Sequence, residues 1–523
     1  MSTARSWTDL RPGALRRDLA DLRALLAFRF GGSGRLQARG KIGLGVVGAI
    51  TGLMVLGPAH VDPTTIAPEL TSQWLHEQLR GFLPAFLTIT LLSSIASGGG
   101  RELLAREQAV AFPISPAVDH LGALLLAPLN LAWFVQSWLL LAAASFLGGP
   151  GGLIPSVTLA LLWMLVATAL AQAAGWAVEW VRRGPHGRPA VIALAVGAGL
   201  LLAALQATGR LGPVVAALPT GSLADAMAAT ATSGFGGSWA GWLLGLLLAA
   251  GLAVLAGMPL ADAVSRRPTR DVERADSRRH TPRPDPAHDG ARGIRAVLLQ
   301  QDRANVLRSV PLRRGLLLLV LMPGLGSLAM PPDWGLLTLV LGMVCSGAAL
   351  LFGVNAWGID GRGQLWRESL PVAPQLVFDV RARLLVETLG CAALATLGLA
   401  VWRMSAPTAA QAFAMAVMLV VVVVQVTATA LRWSVLRPHT ANMRSSRAIP
   451  APPLAMMGYS ARLALSTTFT GMLFSGLGAL GQWRLVVIVA APMLIWSAVR
   501  WWHARRAWAR SDARALVTVT VAA

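Results

Sequence analysis

Residues 265–295 read SRRPTRDVERADSRRHTPRPDPAHDGARGIR. The stretch is dense in Arg, Asp and Pro and holds almost nothing that could build a core, so it predicts a solvated linker. Its surroundings are the opposite. Six apolar runs precede it, at roughly 42–58, 81–97, 120–147, 153–180, 189–206 and 239–260. Six follow, at 315–330, 335–356, 380–401, 408–431, 462–480 and 485–502. A helix that crosses a bilayer needs about 20 mostly apolar residues. The pattern predicts an all-α polytopic integral membrane protein, with about twelve transmembrane helices as two six-helix repeats. The boundaries follow: a cytoplasmic amphipathic segment at 1–41, a first six-span unit at 42–260, and a basic linker with an interfacial helix at 261–314. A second six-span unit at 315–502 and a cytoplasmic tail at 503–523 complete the chain.

Composition agrees, with 55% hydrophobic and only 13% charged residues, against about 25% charged in soluble domains. The net charge of +21 raises the question of a nucleic-acid partner, and the placement of the charges answers it. With both termini in the cytoplasm, all but four of the 45 lysines and arginines fall on that side; the exceptions are Arg80, Arg210, Arg403 and Arg484. That is the positive-inside signature of a multi-pass protein of the cell membrane, and it excludes nucleic acid as the reason for the charge. Trp180, Trp239, Trp334, Trp357, Trp402, Trp433, Trp483 and Trp501 sit at or beside the predicted span ends, where an indole suits the headgroup level; the alternative is packing between helices. Cys345 and Cys391 lie inside spans without metal-ligand spacing, which predicts two reduced, buried thiols.

The N-terminal stretch is charged throughout and has no apolar h-region, so the first span is expected to target the chain. From Leu15 onward, Leu19, Leu22, Leu25, Leu26 and Phe28 recur near helical spacing with charges between them. An amphipathic helix on the inner membrane face fits. Before span 7, IRAVLLQQDRANVLRSVPLRRG can be laid against LRALLAFRFGGSGRLQARGKIG, so each half starts with an interfacial helix and a basic turn.

A charged phrase is also written twice. GRELLARE from Gly100 and GRGQLWRE from Gly361 share Gly, Arg, Leu, Arg and Glu at an offset of 261, and FPISP then meets LPVAP at an offset of 258. Both copies occupy the second cytoplasmic loop of their half, as an internal duplication would place them. Leu103, Leu104, Val110 and Phe112 offer an apolar face, and Arg101, Glu102, Arg106 and Glu107 offer charges to a partner, before two prolines stiffen the exit. Two readings stand: a docking helix at the membrane surface, or a hairpin loop whose prolines reset direction.

A surface helix before span 1, the RE…PISP or RE…LPVAP loop between spans 2 and 3, and the NAWGIDGRG phrase leading into the second copy resemble the permease subunits of ATP-binding-cassette exporters in their fused two-times-six-span form. The resemblance implies that the loop after span 2 is a coupling helix seated on a nucleotide-binding subunit. By it, Arg106, Glu107, Pro113 and Pro116, with Arg367, Glu368, Pro371 and Pro374, are the coupling positions. ABC nucleotide-binding ATPase subunits, two copies in all, are the partners it implies beside the lipid bilayer. The chain lacks their chemistry. Its only lysine, Lys41, is followed by Ile42 with Arg35 where a Walker A loop needs its first Gly, so ATP and Mg belong to the partner and this chain binds no cofactor itself. One departure is that residues 207–238, including LPTGSLADAMAA, make a long loop between spans 5 and 6, whereas spans 11 and 12 are joined by a few residues.

An ion-coupled carrier of six plus six spans is the main rival. Such carriers keep ionisable groups at mid-membrane, and the spans here hold almost none. Asp379, Arg383 and Glu387, spaced by four, stack along one face of span 9. They line the inner mouth of a path or belong to an amphipathic lead-in helix whose charges neutralise one another. Asn130 and Gln136 in span 3 and Gln425 in span 10 carry the same ambiguity between path lining and interhelical glue. An integral membrane enzyme finds no support, since the eight histidines are scattered with no metal-ligand or Ser–His–Asp arrangement. The expectation is a transport subunit with no catalytic or metal residues, exporting a hydrophobic or amphipathic substrate.

Overall fold

A computed structural model describes residues 12–30, 34–60, 72–96, 115–127, 131–267, 290–329, 333–401, 404–440 and 450–522. Among them every regular element is a helix. The chain divides into two compact units, Met1–Ser277 and Arg278–Ala523, and the division falls inside the Arg- and Pro-rich stretch at 265–295.

The first unit begins with α1 (Pro12–Phe30), α2 (Gly34–His60), α3 (Ser72–Ala96), α4 (Pro116–Leu126) and α5 (Leu131–Arg182). It continues with α6 (Gly187–Ala207), α7 (Leu211–Ala216), α8 (Thr220–Ser233) and α9 (Gly237–Ser265). Although α5 runs for 52 residues, it is two arms folded back at Gly149, which holds φ +57°, a value that glycine adopts without cost. The antiparallel pairing is written in hydrogen bonds: Ser156 Oγ donates to the Ala144 carbonyl at 2.7 Å, and Trp133 Nε1 to Thr168 Oγ1 at 3.1 Å. The GGPGG turn needs its small residues for a second reason. A Cβ on Gly152 would lie 2.4 Å from the Thr230 carbonyl oxygen of α8. Gly152→Ala is therefore expected to destabilise the first unit by about 1–3 kcal/mol, the usual cost of overpacking; a thermal melt of the purified protein checks it.

That contact locates the long loop between predicted spans 5 and 6. Residues 220–233 form α8, which buries Leu223, Ala224, Met227 and Thr230 against α3 and α5. The core of the unit joins them to Leu79, Leu83, Phe86, Leu159 and Leu246. α6 turns Ile192, Leu194, Val196, Leu200 and Leu201 outward, an apolar surface suited to lipid and costly in water.

The second unit comprises α10 (Gly290–Arg308), α11 (Val310–Ala329), α12 (Trp334–Phe352), a short 3-10 turn at Gly353–Asn355, α13 (Gly363–Glu368) and α14 (Pro374–Ala400). α15 (Ala409–Leu436), α16 (Pro453–Ala479), α17 (Trp483–Ala509) and α18 (Ser511–Ala522) follow. α12 packs closely on α16, where a Cβ on Gly471 would stand 3.0 Å from the Leu339 Cα. Phe352, Trp357, Phe378, Met418, Tyr459, Phe474 and Trp508 fill the core.

Among the described residues, the twelve predicted apolar runs coincide almost throughout with helix, and 120–147 is divided between α4 and the first arm of α5. Seven helices among the described residues are long and apolar enough to cross a membrane. One of the seven, Gln136–Arg182, is the folded hairpin. The protein is thus an α-helical membrane protein by length and composition of its helices. Gln136 Nε2 donates to Thr90 Oγ1 at 3.1 Å, and Gln425 Oε1 accepts from Thr470 Oγ1 at 3.4 Å. These amides tie neighbouring helices together, as polar groups inside apolar bundles do.

Two expectations need correction. Cys345 is buried, but Cys391 is exposed, because α14 buries Leu389, Ala392 and Ala393 and so turns position 391 outward with Leu394. Trp357 is not an interfacial residue; it is fully buried and stacks on Trp508 at a centroid distance of 3.7 Å and an interplanar angle of 4°.

Candidate functional site

The second copy of the repeated phrase lies between α12 and α14, and the sequence explains its shape. After the 3-10 turn the chain reverses through Gly358 and Gly361, the latter at φ +52°, and enters α13 at Gly363. Asn355 fixes the start of the reversal: its Nδ2 donates to the His439 carbonyl at 2.7 Å and to the Pro450 carbonyl at 3.2 Å. Pro374 closes it as the first residue of α14, a position where the missing N–H costs nothing. Pro371 lies in the bend between the two helices.

α13 is amphipathic in a short span. Gln364 and Arg367 face inward, while Leu365 and Trp366 are 56% and 58% exposed. Arg367, one of the coupling positions that the resemblance implies, turns its side chain inward. Arg367 is 4% exposed, and its Nη1 lies 2.7 Å from Asp302 Oδ1 on α10 and 2.9 Å from Asp360 Oδ2. Arg381 of α14 completes the group, reaching Asp302 Oδ2 at 3.1 Å and Asp360 Oδ2 at 2.7 Å. Arg381 Nη1 also donates to the Ala356 carbonyl, and Asn305 Nδ2 donates to Asp360 Oδ1 at 3.2 Å. Two buried acids and two buried bases neutralise one another and lock α10, α13 and α14 together. Burial alone would raise the Asp360 carboxyl, but the Arg381 and Arg367 guanidiniums outweigh it and hold it below the ordinary carboxylate range.

Asp302, Asp360 and Arg381 were not singled out by the spacing of charges. Arg381 was nonetheless visible in the pattern. It occupies the same helical stripe as Val377, Phe378, Leu384 and Leu385, all buried, so an arginine stands where the periodicity calls for an apolar residue. A charge on a core stripe needs an opposite charge.

Glu368 lies at the edge of α13, where its Oε1 accepts from Arg514 Nε of α18 at 2.8 Å. Trp508 Nε1 donates to the Pro374 carbonyl at 3.0 Å. Between α13, α14, α17 and α18 is a cavity of about 370 Å³ lined by Gln364, Arg367, Pro371, Pro374, Trp508 and Arg514 among others.

The charges of α14 are paired. Asp379 pairs with Arg505 of α17 at 2.8 Å and not with Arg383. Arg383 Nε and Arg303 Nη2 both reach Glu387, at 2.9 and 2.7 Å. Asp379 and Glu387 thus each bond an arginine of another helix, and Arg383 bonds Glu387 within α14.

In the first unit, Arg106, Glu107, Pro113 and Asn130 lie outside the described residues. Pro116 is the first residue of α4, whose N-cap Ser115 Oγ accepts from the Val118 N–H at 3.2 Å and donates to Asp18 Oδ1 of α1 at 2.9 Å. In each unit, then, an aspartate of the opening amphipathic helix reaches the repeated phrase: Asp18 bonds Ser115 of FPISP, and Asp302 bonds Arg367 of GRGQLWRE. The remaining partners differ: by the offsets of the repeat, Asp360 and Arg381 correspond to Gly99 and Ala123.

No protein-family model matches the chain, and neither does any curated protein or any solved structure. Among the described residues no cluster of metal-ligating side chains occurs.

Proposed function

We propose that the chain is the transmembrane permease subunit of an ATP-binding-cassette exporter, moving a hydrophobic or amphipathic compound out of the cell with ATP hydrolysed by separate nucleotide-binding subunits. The observation that carries this reading is the seat of α13. A helix meant to receive force must present a surface outward and be fixed rigidly behind. Leu365 and Trp366 supply the outward surface. The buried group of Asp302, Asp360, Arg367 and Arg381 supplies the fixture, so that a push on α13 moves α10 and α14 with it. A hairpin loop that only reversed direction would need neither. Glu368, Pro371 and Pro374 shape the edge and exit of this helix, and Arg367 is its anchor. The first copy, with Arg106, Glu107, Pro113 and Pro116, is the second contact in this reading.

In the same reading α2, α6, α11 and α16 also cross the bilayer, giving twelve spans in two sets of six, with both termini and the 265–295 linker in the cytoplasm of a cell whose plasma membrane holds the protein. Alternating access would follow from nucleotide-driven approach of the two partner subunits. Affinity purification in mild detergent is expected to recover a soluble subunit carrying a Walker A sequence, while the purified chain alone hydrolyses no ATP. Efflux is expected to stop on ATP depletion and to survive collapse of the proton gradient. The reverse pattern would replace the exporter by an ion-coupled carrier.

A further inference from the structure

A groove of about 510 Å³ runs between α10 and α14, lined by Arg295, Ala296, Leu299 and Arg303 from the first and by Leu376, Asp379, Val380 and Arg383 from the second. Its charges do not cancel. Four arginines, 295, 303, 383 and 505, stand at or beside it against two carboxylates, Asp379 and Glu387. Both carboxylates are already bonded: Asp379 through both oxygens to Arg505, and Glu387 through Oε1 to Arg383 and Oε2 to Arg303. The arginines bonded to them keep further N–H groups, since each guanidinium carries five donors. Leu299, Leu376 and Val380 give the groove an apolar floor. Its position fixes its neighbours: the lining residues of α14 fall in the first turns of a candidate membrane span, Pro374–Ala400. On α10, Ile294, Val297 and Leu307 are exposed beside the basic side chains. A basic mouth and an apolar flank at the start of a span are the two surfaces that an acidic lipid needs.

We infer that the groove between α10 and α14 seats the headgroup of an anionic phospholipid, with Arg295 and Arg383 on the phosphate and the acyl chains beside the exposed apolar residues of α10. Bound there, the lipid would brace the helix that carries Asp302. The inference rests on the membrane character of the chain and not on the transport reading.

The test is retention of phosphatidylglycerol by the full chain reconstituted in nanodiscs of mixed phosphatidylglycerol and phosphatidylcholine, read by native mass spectrometry. The wild type is expected to retain phosphatidylglycerol in preference to phosphatidylcholine. Arg295→Gln/Arg383→Gln should hold it roughly 30-fold less well, the factor that two arginines near an anionic leaflet contribute. Arg210→Gln/Arg484→Gln removes the same charge elsewhere and should leave retention unchanged. Should the groove double variant lose its helical circular dichroism, Arg295→Glu alone keeps the Arg383–Glu387 pair and is expected to lose the lipid. Equal retention by the wild type and a folded groove variant overturns the proposal. Displacement of the lipid by millimolar inorganic phosphate would overturn it too, because the seat would then be one for free phosphate.

Discussion

Arg381→Ala is expected to be the most damaging single substitution in the second unit, at a cost of about 3–5 kcal/mol, because it leaves two buried carboxylates sharing one guanidinium. For a unit of this size that corresponds to roughly 10 °C in the melting temperature. Asp302→Ala should cost a similar amount, since it strips Arg367 and Arg381 of a shared partner. The comparison that isolates burial is Arg383→Ala, two positions along the same helix. Arg383 makes an exposed pair with Glu387, worth at most about 1 kcal/mol. A melt of Arg381→Ala within a degree or two of the wild type would show that the network does not hold α13. Acid should act on the same group. A carboxyl held below its ordinary value contributes stability that is complete at neutral pH, and the contribution fades as the pH falls below about 4 toward the folded value. Asp360→Asn, less stable at pH 7, should therefore approach the wild type in acid.

Trp366→Ala is expected to do the reverse, sparing the fold and weakening the proposed assembly with a nucleotide-binding subunit. An exposed side chain away from special contacts changes stability by less than about 0.5 kcal/mol. A tryptophan at the centre of a docking surface commonly carries 2 kcal/mol or more, so affinity for the nucleotide-binding partner should fall about 30-fold or further. Calorimetric titration of the partner into wild type and variant measures it. Wild-type affinity in the variant would remove α13 as the contact and with it the strongest support for the exporter reading. The two experiments also separate the roles within one short helix: Arg367 faces the fixture, Trp366 the outside.

Much of the architecture could be read from the chain because apolar length is a strong signal. The gap left between the predicted runs 120–147 and 153–180 falls on the glycines and proline of 148–152, where α5 folds back at Gly149. What escaped is local orientation. Arg367 and Glu368 are adjacent, and sequence spacing treats both as loop charges, yet a helix of six residues points one inward and the other to its edge. The spacing of four does show in the Arg383–Glu387 pair, but the further partners of Glu387 and Asp379, Arg303 of α10 and Arg505 of α17, are not revealed by any spacing within α14. α8 escaped for another reason: its apolar residues are alanines and a few larger side chains, too weak a pattern to show in sequence that Leu223 and Met227 enter the core and that Thr230 meets Gly152.

The bond between Glu368 and Arg514 spans 146 residues of chain, and the stack of Trp357 on Trp508 spans slightly more. A ribosome adding about 5–20 residues per second needs roughly 7 to 30 s to travel from one end of that bond to the other. During that interval α13 has its acidic and basic anchors but lacks Trp508 and Arg514 beside it. The contacts around α13 are complete only after α17 and the start of α18 have been made. In the proposed exporter, synthesis would thus close this bundle before an energy-supplying subunit met the finished face of α13.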